Sequence, residues 1–310
     1  MSAGDGGRFS HHEIGRVALL VNPAASGGRG GGVADRAVHR LRERGVDAVV
    51  LTGGSAAESR ALAARAVADP TVDALAVCGG DGMISLAVQD QAGSDTPLGI
   101  VPAGTGNDLA REYGIPLGDP EAAVDVVLAG RVERSDLGRA ITDSGEEHLF
   151  ASVLCAGFDS AVNRRVNEMR FVRGALRYVV ASALTYPGYR AQRFRLTFDD
   201  ADVVEQEIVL SAFAITRCYG GSMRIAPDAD RADGLLDVVY LEDVPKVRGV
   251  WNFRKVFAGE HVGVEGVVTR RCRTVRIEAA GVEAYADGDL VAPLPVTLDV
   301  LAGQGAFLVP

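Results

Sequence analysis

An aspartate stands among three glycines in residues 78–82, which have the sequence CGGDG. Glycine permits positive φ and lets backbone amides approach a ligand closely, and amides at a helix N-terminus attract phosphate. Because a carboxylate repels phosphate unless a cation or a water network mediates, Asp81 indicates either a metal-nucleotide ligand or an N-cap. A tight connection in an α/β protein is the third interpretation, and this stretch alone leaves all three open.

Two further segments join a short apolar run to a glycine-rich turn and a helix-forming stretch. One is LLVNPAASGGRGGG at residues 19–32, and the other is VPAGTGNDLAREYG at residues 101–114. The first fits neither G-x-G-x-x-G nor the P-loop pattern, because no Lys-Ser/Thr pair follows its glycines, so the two commonest nucleotide motifs are excluded there. In the second segment Asn107 and Asp108 open the helix, and either could simply be an N-cap.

An acidic pair flanks a glycine late in the chain, where Asp287 and Asp289 stand on either side of Gly288. Taken alone the segment predicts a hairpin turn, because Asp-Gly is the strongest short hairpin signal.

The elements that would position these residues fall into two groups. From Arg16 the pattern alternates strand and helix, which predicts a parallel sheet covered by helices, with residues 119 or 120 beginning its last helix and Gly130 ending it. The carboxyl edge of such a sheet is where ligands bind. From about Leu137 most segments, among them HLFASVLCAG, are predicted strands, which indicates an antiparallel β-rich domain.

Composition limits the class of protein. A chain of 310 residues with 47% hydrophobic residues and 38 glycines is typical of a two-domain globular enzyme. Its net charge of −9 argues against bulk attraction to nucleic acid or to an anionic membrane, although a local basic patch could still dock on one. Four dispersed cysteines without CxxC spacing indicate buried thiols in a reducing, cytoplasmic compartment.

Membrane contact is predicted to be peripheral. No run approaches the ~20 apolar residues needed to span a bilayer, and residues 1–15 resemble a flexible tail rather than a signal peptide. Residues 164–186 contain arginines interspersed among apolar residues. This predicted helix could lie on a membrane surface, or it could have a solvated basic face and a stripe of apolar residues that pack in the core.

Five motifs in order, NPAASGGRG, GGDG, PAGTGNDLAR, PDADRADGLLDV and YADGD, resemble the bacterial diacylglycerol kinase family, whose catalytic domain is shared with sphingosine and ceramide kinases. The resemblance runs from about Arg16 to Pro310. It implies an N-terminal α/β domain (16–136) and a C-terminal antiparallel β-sandwich (137–293), with 294–310 returning to the first domain.

The resemblance also implies an ATP site and residues that organise its phosphates. The residues expected to contact ATP are Asn22, Pro23, Thr52, Gly79, Gly80, Asp81, Gly82, Ser85, Gly104, Thr105 and Asn107. Asp81, Asp108 and Arg111 are expected to organise the phosphates and their magnesium-water network.

Two acidic sites in the second domain follow from the same resemblance. A structural Mg²⁺ is expected on Asp233 with the backbones of Asp230 and Leu235, an oxygen-only set that suits this ion. Asp287 and Asp289 are expected beside the lipid hydroxyl to take its proton, although Asp289 replaces the family's glutamate.

The sequence therefore predicts an ATP- and magnesium-dependent lipid kinase, with diacylglycerol as the expected acceptor at a membrane surface. Two alternatives stay open. One is a kinase of a soluble alcohol such as NAD, and the other is a lipid- or nucleotide-binding regulator that has lost turnover. A homodimer also stays open.

Overall fold

The computed structural model describes residues 7–22, 30–168 and 176–310, and the chain divides into two compact units. Unit 1 comprises Met1–Leu137 and Ala302–Pro310, and unit 2 comprises Gly138–Leu301. The C-terminal segment that rejoins unit 1 therefore begins at Ala302, eight residues after the start expected from the sequence.

Unit 1 is an α/β unit. Its elements are β1 (Phe9–His11), β2 (Arg16–Val21), α1 (Gly30–Glu43), β3 (Asp47–Thr52), α2 (Ala56–Ala68), β4 (Ala74–Gly79), α3 (Asp81–Gln91), β5 (Leu98–Pro102), α4 (Asp108–Glu112), α5 (Pro120–Ala129) and the start of β6 (Arg131–Thr142).

The parallel sheet expected in unit 1 is present. Its four strands run side by side in the order β3-β2-β4-β5, every neighbouring pair parallel. Every residue of β4 and β5 is buried, as expected for strands that helices cover on both faces.

Local signals place the ends of α5 correctly. Asp119 is the N-cap and accepts a hydrogen bond from the Ala122 amide, Pro120 is the first helical residue, and Gly130 follows in the left-handed conformation at φ 66°. These are the residue types that start and stop helices for reasons contained in the local backbone.

Unit 2 is built mainly from strands. After β6 its elements are β7 (Glu147–Phe150), β8 (Val153–Gly157), α6 (Phe158–Glu168), α7 (Leu176–Thr185), a 3-10 turn (Tyr186–Gly188), β9 (Gln192–Phe198), β10 (Asp202–Ala214), β11 (Leu236–Glu242), α8 (Lys246–Ala258), β12 (Val267–Cys272), β13 (Thr274–Glu278), β14 (Glu283–Ala286), β15 (Asp289–Pro293) and β16 (Val296–Leu308).

The strands of unit 2 pair antiparallel in a sandwich-like arrangement. One path runs β15-β14-β8-β10-β9-β13-β16, while β11 pairs with both β10 and β12. A core of alternating apolar residues from these strands includes Phe150, Phe194, Phe213 and Leu298, all fully buried. The stretch 148–157, predicted as one strand, is two strands, because Ala151 and Ser152 leave the ladder between β7 and β8.

Two features concern the thiols and the lengths of the helices. All four cysteines are free thiols, and Cys78, Cys155 and Cys272 are buried. Among the described residues, none of the helices combines the length and the apolarity that crossing a bilayer requires.

Candidate active site

The polar residues of unit 1 that the sequence singles out lie along the carboxyl edge of its sheet. In the strand register Val21 is the partner of both Thr52 and Cys78, and Gly79 is the partner of Pro102. Asn22, which is half-buried and donates its amide to the Cys78 carbonyl at 3.3 Å, therefore lies level with Thr52 and with the two glycine turns that follow β4 and β5.

The two glycine turns touch each other through their backbones. A Cβ on Gly104 would lie only 2.5 Å from the Cα of Gly80, a separation that real side chains do not tolerate. Asn107 closes the second turn on itself, because its side chain accepts from the Gly104 amide and donates to the Gly104 carbonyl, both at 3.0 Å. Asn107 has the left-handed conformation at φ 54°, which asparagine adopts more readily than most residues.

Asp81 joins the two turns rather than capping its own helix. The N-cap position of α3 is Gly80, while the Asp81 Oδ1 accepts from the Leu109 amide of α4 at 3.4 Å. A Cβ on Gly106 would lie 2.6 Å from Asp81 Oδ2, so glycine at that position gives the carboxylate its room. Asp81 is thus a helix cap, as one interpretation of the sequence predicts, but the amide that it caps belongs to α4 and not to α3.

A second carboxylate lies beside Asp81. Asp108 is only 6% exposed and pairs with the Arg111 guanidinium at 3.2 Å, while Arg111 also donates to the Gly106 carbonyl. Desolvation and then repulsion by Asp108 raise the pKa of Asp81, against the opposing effect of the α4 amides. A half-buried acid and a buried acid, adjacent to each other and to one arginine, form a site where an additional cation would be stabilised.

The remaining residues expected at the nucleotide differ in accessibility. Thr105 and Gly82 are exposed at the edge, whereas Ser85 is 2% exposed within α3, so its side chain lies behind the loop. Pro23 lies outside the described residues.

In unit 2 the acidic pair forms the hairpin that its sequence predicts. Ala286 pairs with Asp289, which leaves Asp287 and Gly288 as a two-residue loop, and both have positive φ (50° and 92°). Asp-Gly with this backbone is the type I′ turn that matches the twist of paired strands.

The carboxylate of Asp287 is fully occupied by backbone amides. Its Oδ2 accepts from the Ala151 amide at 2.9 Å, and its Oδ1 accepts from the amides of Ser152 and Val153 at 3.0 and 3.3 Å. Two of these amides come from the interruption between β7 and β8, and the third is that of Val153, the first residue of β8. Asp287 therefore ties the β14–β15 turn to that interruption.

Asp289 has the opposite environment. Its side chain is exposed, and in the part of the chain that the structure describes its carboxylate has no hydrogen-bond partner. The protein atoms around it still desolvate the group enough to raise the pKa of Asp289. Of the two carboxylates, Asp289 is the one available to accept a proton.

Asp233, which was expected to hold a structural metal with the backbones of Asp230 and Leu235, has protein partners in this structure, and the metal site stays a prediction. Asp233 pairs with the Arg271 guanidinium through Oδ2 and accepts from the Leu235 amide through Oδ1 at 3.0 Å. Asp230 accepts from the Ala232 amide at 3.2 Å. Across residues 7–22, 30–168 and 176–310, no three or more His, Cys, Asp or Glu side chains are arranged to hold a metal ion.

A neighbouring acid that the sequence analysis missed has an unusual environment. Asp237 on β11 is 8% exposed, and its Oδ1 lies 3.3 Å from the Arg271 Nε, but its buried Oδ2 has no hydrogen-bond partner among the described residues. Desolvation, followed by repulsion from Asp228 and Asp230, raises the pKa of Asp237 to about 6. The signal available in the sequence was its position in the apolar stretch LLDVVYL. An acid in a buried strand is costly unless its charge is paired or it binds a metal.

Comparison with known proteins assigns the family. Residues 16–140 match the diacylglycerol kinase catalytic domain, and residues 152–308 match the YegS C-terminal NAD kinase beta sandwich-like domain. The chain is 44% identical over 304 residues to a diacylglycerol kinase of Mycobacterium tuberculosis, with 98% of each chain covered. This chain belongs to the diacylglycerol kinase family. It is a lipid kinase.

More distant relatives agree. A diacylglycerol kinase of Bacillus subtilis is 26% identical over 237 residues, which cover 75% of this lipid kinase and 76% of the relative. A solved structure described as a putative diacylglycerol kinase from Bacillus anthracis has a TM-score of 0.77 at 21% identity, and covers 96% of this chain and 98% of its own. At that identity the match confirms the fold.

The kinase also contains a half-buried acid–phenol pair that the sequence analysis missed. Asp159 in the first turn of α6 accepts a hydrogen bond from the Tyr219 hydroxyl. Desolvation raises the pKa of Asp159 to about 6, although the bond from Tyr219 opposes the rise. The available signal was AGFD, a glycine and an acid directly after the buried strand β8, which repeats the strand-glycine-acid-helix pattern of unit 1.

We predict that Asp159→Asn stabilises the kinase at pH 8 by about twice as much as at pH 5. Because the folded pKa is raised, the unfolded state ionises first as pH rises from about 4 to about 6, and the folded state loses stability across that window. One pKa unit corresponds to about 1.4 kcal/mol, so the gain at pH 8 is at most about 3 kcal/mol, and partial solvent access reduces it. Urea unfolding at both pH values measures the difference; an equal effect at pH 5 and pH 8 would contradict the assignment.

Proposed function

We propose that this lipid kinase transfers the γ-phosphate of ATP, with Mg²⁺, to the free hydroxyl of diacylglycerol at a membrane surface, which gives phosphatidic acid. The observation that carries the proposal is the contact of two glycine turns at one sheet edge, where Asp81 holds the second turn and Asp108 lies beside it. The names of the relatives support diacylglycerol as the acceptor. ATP supply makes the cytoplasmic side of the membrane the expected place of action.

The unit 1 site fits a magnesium nucleotide on chemical grounds. Magnesium usually keeps several waters and binds through one or two carboxylates together with substrate phosphates, and repulsion between Asp81 and Asp108 would be relieved by such an ion. When bound, the ion neutralises charge on the transferred phosphate. The amides that follow Gly79 and Gly104 bind phosphate oxygens in this proposal, and Arg111 adds a positive charge.

In the transfer, the lipid hydroxyl oxygen forms a bond to the γ-phosphorus as the bond to the β–γ bridging oxygen breaks and ADP leaves. The hydroxyl proton passes to a carboxylate, and we assign that role to Asp289. Asp287 holds the turn that presents Asp289, because its own oxygens are already occupied by three amides.

Incubation of the full-length protein with γ-labelled ATP, magnesium and mixed micelles of diacylglycerol tests the proposal. Label in the organic phase as phosphatidic acid is the expected result, and omission of magnesium with EDTA present should remove it. Label only in a water-soluble alcohol such as NAD would overturn the choice of acceptor. Binding of ATP without any transfer would favour a regulator.

The glycine turns offer a matched pair of variants that separate ligand contact from folding. Gly82 is exposed, and a Cβ there would meet no atom within 4 Å. In Gly82→Ala we expect the melting temperature to be unchanged or higher, because alanine is favoured over glycine in a helix by about 1 kcal/mol. Its Cβ would obstruct a phosphate at the α3 amides, so the Kd for MgATP should rise at least about tenfold (1.4 kcal/mol).

Gly104→Ala is the control for folding. Its Cβ would meet the Gly80 backbone at 2.5 Å and the Asn107 Oδ1 at 2.8 Å, so we expect unit 1 to lose about 2 kcal/mol of stability through backbone overpacking. Calorimetric titration and thermal melting measure both variants. Unchanged MgATP affinity in a folded Gly82→Ala protein would show that this loop does not contact a phosphate.

A further inference from the structure

Helix α8 of unit 2 presents aromatic rings to solvent. Phe253 and Phe257 are 47% and 48% exposed, and their ring centroids are 5.7 Å apart in an edge-to-face pair. Among the large apolar side chains that are exposed in the described residues, these are the two aromatic ones. Paired rings in water are unusual for a surface helix, because burying an aromatic side chain is strongly favourable.

One residue of α8 adjacent to these rings packs on the apolar core of unit 2. Val256 packs against the apolar cluster that includes Val153, Ala212 and Ile225. Because residues four apart lie on the same helix face, Phe253 and Phe257 form a ridge that this packing leaves uncovered. The ridge is therefore not part of the unit 2 core.

Unit 2 also fixes the N-terminal end of α8. The Tyr186 hydroxyl donates to the Lys246 carbonyl at 3.1 Å, and Lys246 Nζ donates to the Pro187 carbonyl. A Cβ on Gly249 would overlap the Tyr186 hydroxyl, so α8 and the 3-10 turn are in close contact. The N-terminal end of α8, which precedes the aromatic ridge, is thus attached to the rest of unit 2.

The charge of α8 is opposite to that of the whole chain. Its sequence, KVRGVWNFRKVFA, has four basic residues and no acidic residue, in a chain of net charge −9. Arg254 follows Phe253 and is exposed. Acids occur only beyond the helix ends, at Asp243 and Glu260. This composition repels a basic partner and attracts an anionic one.

We propose that α8 docks the kinase on an anionic lipid bilayer, with Phe253 and Phe257 entering the headgroup boundary and Arg254 and Lys255 facing lipid phosphates. Helices with one aromatic face and basic flanks bind membranes in this way, through apolar burial and attraction to anionic headgroups. The inference rests on the proposed function and deepens it, because it names the surface through which the kinase would contact the membrane that holds its acceptor. It differs from the prediction for residues 164–186, part of which lies outside the described residues.

Co-sedimentation of the full-length protein with vesicles tests the proposal. Vesicles that contain phosphatidylglycerol should bind the protein, vesicles of phosphatidylcholine alone should bind it weakly, and high salt should release it. Phe253→Ser/Phe257→Ser should lower binding to the anionic vesicles at least about tenfold. Arg254→Glu/Lys255→Glu should lower it and weaken its salt dependence.

Val203→Ser is the matched control. Val203 is an exposed apolar residue on β10, so its replacement removes exposed apolar surface without touching α8 and should leave vesicle binding unchanged. Thermal melting confirms that each variant is folded. Equal binding by the wild type and the double serine variant would overturn the proposal. Loss of a dimer instead of loss of vesicle binding would also overturn it and assign the ridge to a second copy of the chain.

Activity separates this inference from the proposed function. With a short-chain diacylglycerol dissolved as monomers, the double serine variant should match the wild type, whereas with diacylglycerol in vesicles it should be slower at least about tenfold. Vesicle binding through α8 without kinase activity on either substrate would uphold the surface and reject the acceptor. Equal activity of wild type and variant on vesicles would reject the surface and uphold the kinase.

Discussion

Asp289→Asn is expected to lower kcat by roughly 10² to 10⁴ while the protein keeps its stability. A positioned proton acceptor contributes a factor of that order, and asparagine keeps the shape of the side chain but cannot take the proton. Because the Asp289 side chain is exposed and makes no hydrogen bond to the described residues, its replacement removes no side-chain hydrogen bond.

Steady-state kinetics with labelled ATP and diacylglycerol measure this effect, and urea unfolding verifies the fold. Asp289→Glu is the control, because it restores the residue common in the family with a carboxylate one methylene longer. It should keep at least the wild-type kcat. A kcat for Asp289→Asn within about threefold of the wild type would exclude Asp289 as the base, and a large gain in Asp289→Glu would indicate that the natural chain has reduced turnover.

Asp287→Ala is expected to destabilise unit 2 by about 3 kcal/mol or more. Three amides of buried residues, Ala151, Ser152 and Val153, would lose their acceptor, and each unsatisfied buried donor costs about 1 to 3 kcal/mol. Alanine would also have to adopt the left-handed conformation of Asp287, φ 50°, which costs about a further 1 kcal/mol. Since a domain is stable by only about 5 to 15 kcal/mol, this is a large fraction.

Chemical unfolding of the full-length protein, followed by a probe in unit 2, measures the loss. Asp287→Asn is the matched variant, because asparagine tolerates the left-handed backbone and keeps one acceptor oxygen; its loss should be smaller. If Asp287→Ala were as stable as the wild type and merely inactive, the holding role would be wrong and the proton-acceptor role expected from the sequence would stand.

The motif around Gly288 shows what can and what cannot be predicted from the sequence. It predicts the hairpin, because the Asp-Gly turn is determined by the backbone preferences of two adjacent residues. It does not separate the roles of Asp287 and Asp289. The amides that occupy Asp287 lie more than 130 positions earlier in the chain, in a stretch whose apolar pattern predicts an unbroken strand.

The same division applies to Asp81. Its place between a buried strand and a helix is clear from the pattern CGGDG, and so is the expectation of a helix cap or a phosphate ligand. That it caps α4 rather than α3 depends on the parallel register of β4 and β5, which brings two separate turns together. Asp233 is a third case, because its ion pair with Arg271 arises from the pairing of β11 with β12.

The sequence by itself determined the α/β and β-rich halves, the ends of α5, the family and the list of polar residues at the sheet edge. These depend on the period of apolar residues, on caps and on turn types, all of which act over a few neighbouring residues. Only the tertiary structure decided which carboxylates are occupied, which are free and which face of α8 lacks a partner. Hydrogen-bond partners and burial depend on segments far apart in the chain, and their pairing is set by packing rather than by local preference.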